Sequence, residues 1–321
     1  MPGRTRFLTF ALAALFTAVV AGCGGNSNPK PQGGFTAASL SGSYSFLFSG
    51  SDISSGGSAE FVAVAGSLQA DGAGHITGGV LDVNQNDSSG QPQPLTSSLT
   101  GTYIVRADGR GTAILNSSAG NFNMDFVIIS AQRALVTRFE TSATGSGTMD
   151  AQTSSAFSTA ALAGNFAFNI AGAGSTGGPF ATAGSFTTDA SGAITTGVED
   201  NSDDGAIAQN VPINSGSIAV DTNGRATLMI TSASGTSSFA AYVVDANHLK
   251  LVETDTNTAT QLAGEAFRQA GNFTNASLSG PFAFTMAGAD LTNQAAFAAG
   301  GVFNSSGAGT IDTGTMDLAE T

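Results

Sequence analysis

This chain offers few histidine or cysteine side chains for catalysis or metal binding, because it contains only two histidines and one cysteine. His75 and His248 occupy non-equivalent points of an internal repeat, so we expect both to be solvent-facing turn residues rather than metal ligands or catalytic bases. The sequence has no H-E-x-x-H motif, no G-x-S-x-G motif and no phosphate-binding glycine loop. Hydrolysis would therefore need a pair of carboxylates, as in glycosidases, and the sequence gives no way to choose that pair.

Two acidic segments are the best candidates for a metal site. They begin at Asp82 and Asp200 and read DVNQND and DNSDDG. Ca²⁺ accepts clustered carboxylate and amide oxygens, so calcium is the cofactor that these segments suggest. The candidate ligands are Asp82, Asn84, Asp200, Ser202 and Asp204. Val211 stands where an EF-hand loop needs its closing Glu, which favours the alternative that Asp and Asn simply form solvated turns.

Two arginines recur at one point of the repeat. Arg110 and Arg225 directly follow Asp108-Gly109 and Asn223-Gly224. We expect each arginine to pair with a carboxylate, or to cap backbone carbonyls, within its own domain. The Asp-Gly and Asn-Gly pairs lie between alternating apolar runs, which predicts type I′ hairpin turns.

The single cysteine ends an N-terminal targeting segment. Arg4 and Arg6 precede the apolar run 7–20, and small residues lead to Cys23. This order is typical of a secretory signal, and the run is shorter than the roughly 20 residues that span a bilayer. The sequence VAGC resembles the lipobox of bacterial lipoproteins. The resemblance implies cleavage before Cys23, acylation of its thiol by a chain such as palmitate, and attachment to a membrane, with the outer membrane favoured because Gly24 rather than Asp follows.

We expect residues 1–22 to be the signal peptide and residues 23–34 to be a flexible tether that faces the periplasm or the exterior of the cell.

Composition limits the partners. The 23 acidic residues outnumber the 10 basic ones, for a net charge of −13. Such a chain repels phosphate, so we expect no nucleic-acid partner and assign membrane attachment to the lipid alone. A hydrophobic content of 41% with 22 Phe is ample for folded cores.

Internal repeats set the domain organisation. The segment LSGSYSF at Leu40 returns as LAGNFAF at Leu162 and as LSGPFAF at Leu278. The unit is roughly 120 residues long, which is the size of a domain rather than of a solenoid repeat. The predicted domains are 35–152, 157–269 and a partial copy at 273–321. We expect the partial copy to hold about three strands. Either the sequence is a piece of a longer protein, which we favour, or this copy docks on its neighbour or self-associates.

Within each unit the apolar residues alternate, as on a half-buried strand. Turn residues divide the first unit into about eight strands. We expect these strands near 41–49, 59–70, 74–83, 98–106, 110–117, 121–130, 134–141 and 145–152. The fold prediction is all-β, with tandem antiparallel meanders that close as barrels or, alternatively, fold as β-sandwiches. Gly66, Gly184 and Gly300 lie inside strands and suggest bulges or corners, which favour a curved, barrel-like sheet.

The L-x-G-x-[YF]-x-F opening resembles the first strand of avidin and lipocalin barrels. The resemblance covers only that strand of each unit, and the chain lacks the tryptophan that those families carry there. It implies a barrel and does not extend to a biotin or lipid pocket. Over its whole length the chain resembles the repeat-containing envelope lipoproteins of unassigned function.

Three functions follow as alternatives. The first is a lipid-anchored envelope protein whose β-domains have a structural, adhesive or interaction role toward a surface protein or glycan, with no visible catalytic motif. The second is a small-ligand-binding barrel, which a cavity of about 300 Å³ or more with convergent polar groups would indicate. The third is a carbohydrate-active enzyme with two carboxylates across a cleft.

Overall fold

The computed structural model describes residues 34–53, 59–87, 91–256, 260–293 and 295–320. These ranges form β-strands joined by turns and a few short 3₁₀ segments, which confirms the all-β prediction. Within them, no helix has the length and apolar content needed to cross a bilayer. The predicted signal peptide, Cys23 and the tether up to residue 33 lie outside the described residues.

The first eight strands close into a barrel. β1 pairs with β2 on one side and with β8 on the other, so the sheet has no free edge. This closure confirms the barrel and excludes the sandwich alternative. The strands are β1 (Ser41–Asp52), β2 (Glu60–Asp71), β3 (His75–Asn84), β4 (Leu95–Val105), β5 (Arg110–Ser117), β6 (Gly120–Ser130), β7 (Arg133–Phe139) and β8 (Ala143–Ala151).

The second eight strands repeat this architecture, with β9 paired to both β10 and β16. Two short 3₁₀ segments, Ser154–Ala156 and Thr159–Leu162, connect the barrels. The strands are β9 (Gly164–Ala173), β10 (Pro179–Thr188), β11 (Ala193–Asp203), β12 (Ala206–Val220), β13 (Arg225–Ser232), β14 (Gly235–Asp245), β15 (His248–Glu253) and β16 (Gln261–Arg268).

The third copy is an open three-stranded sheet. Its strands are β17 (Ser279–Asp290), β18 (Ala295–Ser306) and β19 (Ile311–Glu320). The residues that would face a barrel interior are instead open to solvent: Met286 is 51% exposed and Leu318 is 54% exposed. Their counterparts in the first barrel, Phe48 and Val83, are 1% and 0% exposed. The same alternating pattern therefore buries its apolar face only where the sheet closes.

The recurring strand glycines make room for aromatic rings. A Cβ on Gly66 would lie 2.4 Å from Cζ of Phe46, the residue opposite it on β1. The register is continuous at this point, so the predicted bulge is wrong, and in the third copy Gly301 rather than Gly300 has this role. The three pairs are Gly66 with Phe46, Gly184 with Phe168, and Gly301 with Phe284. Each ring covers a glycine across the strand pair, which pins the register.

The β4–β5 and β12–β13 hairpins also differ from the prediction. Gly109 and Gly224 have φ values of 85° and 81°, but the residues before them do not have positive φ. The amide of Gly109 donates to the carbonyl of Arg106 at 2.9 Å, and the amide of Arg106 donates to the carbonyl of Arg110 at 2.7 Å. This is a type I turn followed by a glycine bulge, so the type I′ prediction is wrong.

Candidate ligand-binding site

The two barrels share strand order and register, so their inward-facing residues can be compared position by position. The interior of the first barrel is filled, and the void left inside it has a volume of about 10 Å³. At one end the filling side chains are at most 2% exposed. They are Phe48, Val64, Leu81, Val83 and Phe122.

The same end of the second barrel is hollow. The five positions are occupied there, in the same order, by Ile170, Thr182, Glu199, Asn201 and Ser237. Apolar side chains have thus been exchanged for smaller or polar ones. A cavity of about 520 Å³ results, which lies within the range of 300–1,000 Å³ that is usual for small-ligand pockets.

The cavity has an apolar side and a polar side. Its apolar lining is Phe168, Ile170, Phe180, Ile230, Phe239 and Leu262. Its polar lining includes Thr182, Glu199, Asn201, Asp203, Ser232, Ser234, Thr236, Ser237 and Thr260. Pockets that bind small molecules combine such a mostly apolar wall with a few polar groups that fix orientation.

Several of these polar groups are buried without a hydrogen-bond partner in the described part of the chain. They are Oγ1 of Thr182, Oδ1 of Asn201 and Oδ1 of Asp203. Thr182 is only 7% exposed. Because buried polar atoms in native proteins are nearly always paired, three unpaired oxygens around one cavity indicate that it receives hydrogen-bond donors.

A hydrogen-bond chain holds the polar side in place. Nδ2 of Asn201 donates to Oε1 of Glu199 at 3.3 Å and to Oγ of Ser234 at 3.1 Å. Glu199 is 9% exposed and is absent from the ion pairs of the described residues, as is Asp203. Among the described residues, the lining contains no Lys, Arg or His. This part of the chain therefore gives the cavity two carboxylates and no basic side chain to balance their charge.

The β11–β12 hairpin forms the lip of the cavity. Asp203 pairs with Ala206, and the two residues between them, Asp204 and Gly205, have φ values of 46° and 87°. Two consecutive positive φ values make this the tight type I′ turn, for which Asp-Gly is a preferred sequence. The turn places Asp203 and Ile207 at the mouth of the cavity.

The predicted metal candidates are divided between two places. Asp82 and Asn84 lie on β3, where the first barrel packs against the second, and they are 1% and 0% exposed. Asp200, Ser202 and Asp204 lie on or beside β11 and are exposed. The solvated-turn interpretation is therefore wrong for Asp82 and Asn84. In the described ranges no group of three or more His, Cys, Asp and Glu is arranged to hold a metal ion.

Asp82 instead forms an ion pair between the barrels. Nε and Nη2 of Arg225 donate to its two oxygens at 2.7 and 2.9 Å. The hydroxyls of Tyr242 and Thr96 also donate to this carboxylate, that of Tyr242 at 2.5 Å. Burial, followed by the charge of Asp82 and the hydrogen bond to it, raises the pKa of Tyr242 well above its usual value, so the phenol remains a donor.

Arg225 was expected to pair within its own domain, and that expectation is wrong. Arg110 does so, because its Nε donates to Asp108 of the same turn at 2.7 Å. In the second barrel Asn223 takes the place of Asp108 and offers no charge. Arg225 therefore reaches across to Asp82, and their hydrogen bond is the main cause that raises the pKa of Arg225.

A second buried cation completes the contact between the barrels. Lys250 is 0% exposed, and its Nζ lies 2.8 Å from Asp150 of the first barrel and 2.9 Å from Glu265 of its own. Nζ also donates to Oγ1 of Thr148 at 2.6 Å. An apolar cluster surrounds this contact and consists of Ala63, Ala65, Ala240, Tyr242, Val252 and Ala263. The barrels are thus joined by apolar packing with paired charges inside it.

The two histidines have different surroundings. His75 is exposed at the start of β3, and its Nδ1 lies 2.9 Å from Asp71. His248, at the start of β15, is 9% exposed, stacks on Phe267 and lies 3.3 Å from Glu265. The prediction of a solvent-facing turn residue is therefore wrong for His248. Neither histidine lines the cavity.

Comparison with known proteins gives distant similarities of fold only. No protein-family model and no curated protein matches the chain. Transferrin binding protein B of Neisseria meningitidis is 6% identical over 72% of this chain and 77% of that chain, with a TM-score of 0.25. A Nitrosomonas europaea protein provisionally assigned as AttH is 8% identical over 77% of this chain and 98% of that chain, with a TM-score of 0.26. Both scores are below 0.5, so these similarities say nothing about what this chain binds.

Proposed function

We propose that this chain is a small-ligand-binding protein of the bacterial envelope and that the hollow end of its second barrel is the binding site. The first barrel acts as a filled structural partner that holds the second in a fixed orientation. The contrast between the two interiors carries this proposal, because the same scaffold is packed solid in one copy and opened to about 520 Å³ in the other.

Random loss of packing does not account for the cavity. Deleting buried side chains leaves an apolar void, whereas here Glu199, Asn201 and Thr182 stand where the first barrel has Leu81, Val83 and Val64. A buried carboxylate or amide that lacks partners destabilises a fold by several kcal/mol in the least favourable cases. Keeping such groups in the interior is consistent with a ligand that pairs with them when it is bound.

The anchor belongs to the same proposal. The basic residues, apolar run and small residues that precede Cys23 support a lipid-anchored protein at the envelope, with the outer membrane favoured. We expect Cys23→Ala to leave a soluble or uncleaved precursor. Membrane fractionation checks this, and a mature-sized variant that still pellets with membranes contradicts it.

Restoring the packing of the first barrel tests the binding site. The variant carries Thr182→Val, Glu199→Leu, Asn201→Val and Ser237→Phe, the residues that fill the equivalent end of the first barrel. We expect the wild type to bind the uncharged dye N-phenyl-1-naphthylamine in fluorescence titration, and the variant to lose that binding. The matched control is Asp200→Asn, which changes the outward neighbour of Glu199 and leaves the interior as it is.

The exposed apolar face of β17–β19 also attracts a dye, so the difference between the wild type and the filled variant is the informative quantity. Equal dye binding by the two proteins, with both folded by circular dichroism, refutes a site inside the second barrel. The carbohydrate-active alternative stays a prediction, since Glu199 and Asp203 place two carboxylates in this one cavity.

A further inference from the structure

We infer that the ligand of the second barrel is an organic cation, an ammonium group attached to an apolar body. This inference rests on the proposed function and names its substrate class. The first support is the charge of the cavity, in which Glu199 and Asp203 have no basic neighbour among the lining residues. Two carboxylates buried elsewhere in the described ranges do have one: Asp82 faces Arg225, and Asp150 faces Lys250.

The second support comes from the first barrel, which carries a cation of its own at the equivalent place. Arg138 points inward from β7 and is 7% exposed, and its guanidinium lies over the ring of Phe122 with 5.3 Å between its Cζ and the ring centroid. Nη2 of Arg138 lies 3.0 Å from Asp52 and 2.8 Å from Glu140. That end of the first barrel thus holds a guanidinium between an aromatic face and two carboxylates.

The second barrel lacks both the cation and its ring. The cross-strand register places Glu253 at the position of Arg138 and Ser237 at the position of Phe122. Glu253 is 0% exposed and accepts a hydrogen bond at 2.6 Å from Thr260, which lines the cavity. Acidic groups thus remain around this end of the barrel while its internal cation is gone. A ligand that brings a positive charge would supply the cation that the first barrel provides from its own chain.

The apolar side of the cavity supplies aromatic faces for such a ligand. Phe168, Phe180 and Phe239 all line it. Cations are attracted to aromatic faces within about 6 Å, and the attraction is stronger where water is excluded. An anionic ligand would meet two carboxylates without compensation. A neutral ligand, such as the dye, could contact the apolar side but would give those carboxylates no counter-charge.

Three probes that share a benzyl group distinguish these cases by displacement of N-phenyl-1-naphthylamine. They are benzyltrimethylammonium, its uncharged isostere neopentylbenzene, and the anion phenylacetate. We expect the cation to displace the dye at least tenfold more effectively than the isostere, and phenylacetate to displace it least. The comparison uses the wild-type chain throughout, so it does not depend on the folding of any variant.

A variant then assigns the preference to the carboxylate. Glu199→Gln keeps the shape of the side chain and removes its charge, and Asp200→Asn is the matched control on the outer face of β11. We expect Glu199→Gln to reduce the cation's advantage over the isostere at least tenfold while dye binding persists, and Asp200→Asn to leave that advantage unchanged. Equal displacement by the isostere and the cation, or an unchanged advantage in Glu199→Gln, overturns the inference. Dye binding that survives in the filled variant overturns the proposed function instead.

Discussion

Replacing Asp82 with Asn should destabilise the contact between the two barrels. The effect should be larger than that of the same substitution at Asp200, the equivalent position of the second barrel. Asp82 is 1% exposed and accepts hydrogen bonds from Arg225, Tyr242 and Thr96. An asparagine fits the same space, but its amide nitrogen cannot accept a hydrogen bond and it has no charge. Arg225, whose side chain is 20% exposed, would then be left mostly buried without a counter-charge.

The magnitude follows from this burial. Removing one partner of a buried ion pair costs about 3–5 kcal/mol, because the remaining charge is still desolvated. Tyr242→Phe removes one hydrogen bond to the same carboxylate and should cost about 1.5–3 kcal/mol. Asp200→Asn changes the equivalent residue of the second barrel, which is exposed and accepts one hydrogen bond, at 2.6 Å from the amide of Asn210. Its cost should not exceed about 1 kcal/mol.

Urea denaturation followed by far-ultraviolet circular dichroism measures this series. With a slope of about 1–3 kcal/mol per molar for small domains, Asp82→Asn should lower the midpoint of the affected transition by about 1–5 M. A single wild-type transition should also split in two, because the barrels no longer stabilise each other. If Asp82→Asn and Asp200→Asn shift the midpoint equally, the contact does not couple the barrels and the reasoning fails.

Two other predictions concern acid and protease. Burial tends to raise the pKa of Glu265, but the hydrogen bond from His248 and the charge of Lys250 outweigh it and lower that pKa to about 2. The pKa is therefore lower in the folded state, so the stability that Glu265 contributes is complete above about pH 4.5 and is lost as the pH falls toward 2. Chemical denaturation at pH 6, 4 and 3 should show this loss of stability. If the Glu265→Gln variant loses stability with falling pH as steeply as the wild type in that interval, the assignment to Glu265 is wrong. Residues 273–321 should be the first folded part removed in limited proteolysis, because the apolar face of β17–β19 is exposed. The prediction is wrong if, in a monomer, these residues resist the protease as well as the two barrels do.

The barrel architecture could be predicted because the information for it is local and repeated. Tyr44, Phe46 and Phe48 alternate with Ser43, Ser45 and Leu47, and an apolar, largely aromatic residue returns at every second position in each copy. Short turns between such strands leave antiparallel neighbours as the natural pairing. The turn types were harder to predict, since a type I turn with a glycine bulge and a type I′ turn use similar Asp-Gly or Asn-Gly sequences.

The contact between the barrels could not be read from either unit alone. Asp82 lies on an outward face, and outward carboxylates are normally solvated. Its burial depends on the second barrel, whose Arg225 has no carboxylate in its own turn. One signal was present in the sequence: Asn223 replaces Asp108 between two otherwise matching turns. An arginine that loses its local partner in one copy of a repeat is a candidate for a partner in the other copy.

The cavity could have been predicted from the sequence differences between the copies, but not from their similarities. Leu81-Asp82 on β3 corresponds to Glu199-Asp200 on β11. Successive residues of a strand point to opposite faces, so the first member of each pair faces the barrel interior and the second faces outward. The outward aspartate is kept in both copies, while the inward leucine has become a glutamate beside a cavity.

This division between faces lets one scaffold perform two tasks without changing its fold. The outward positions decide what each barrel packs against, and in the first copy Asp82 pairs with Arg225 of the second barrel. The inward positions decide whether the barrel is solid or hollow, and in the second copy five of them carry smaller or polar side chains around the cavity. Strand pairing depends on backbone hydrogen bonds and on the glycine–aromatic pairs, which both copies retain. The polar residues in the interior of the second barrel therefore lower the stability of its core without changing its strand pairing. The buried contact with the first barrel stabilises the folded second barrel and helps to offset this loss.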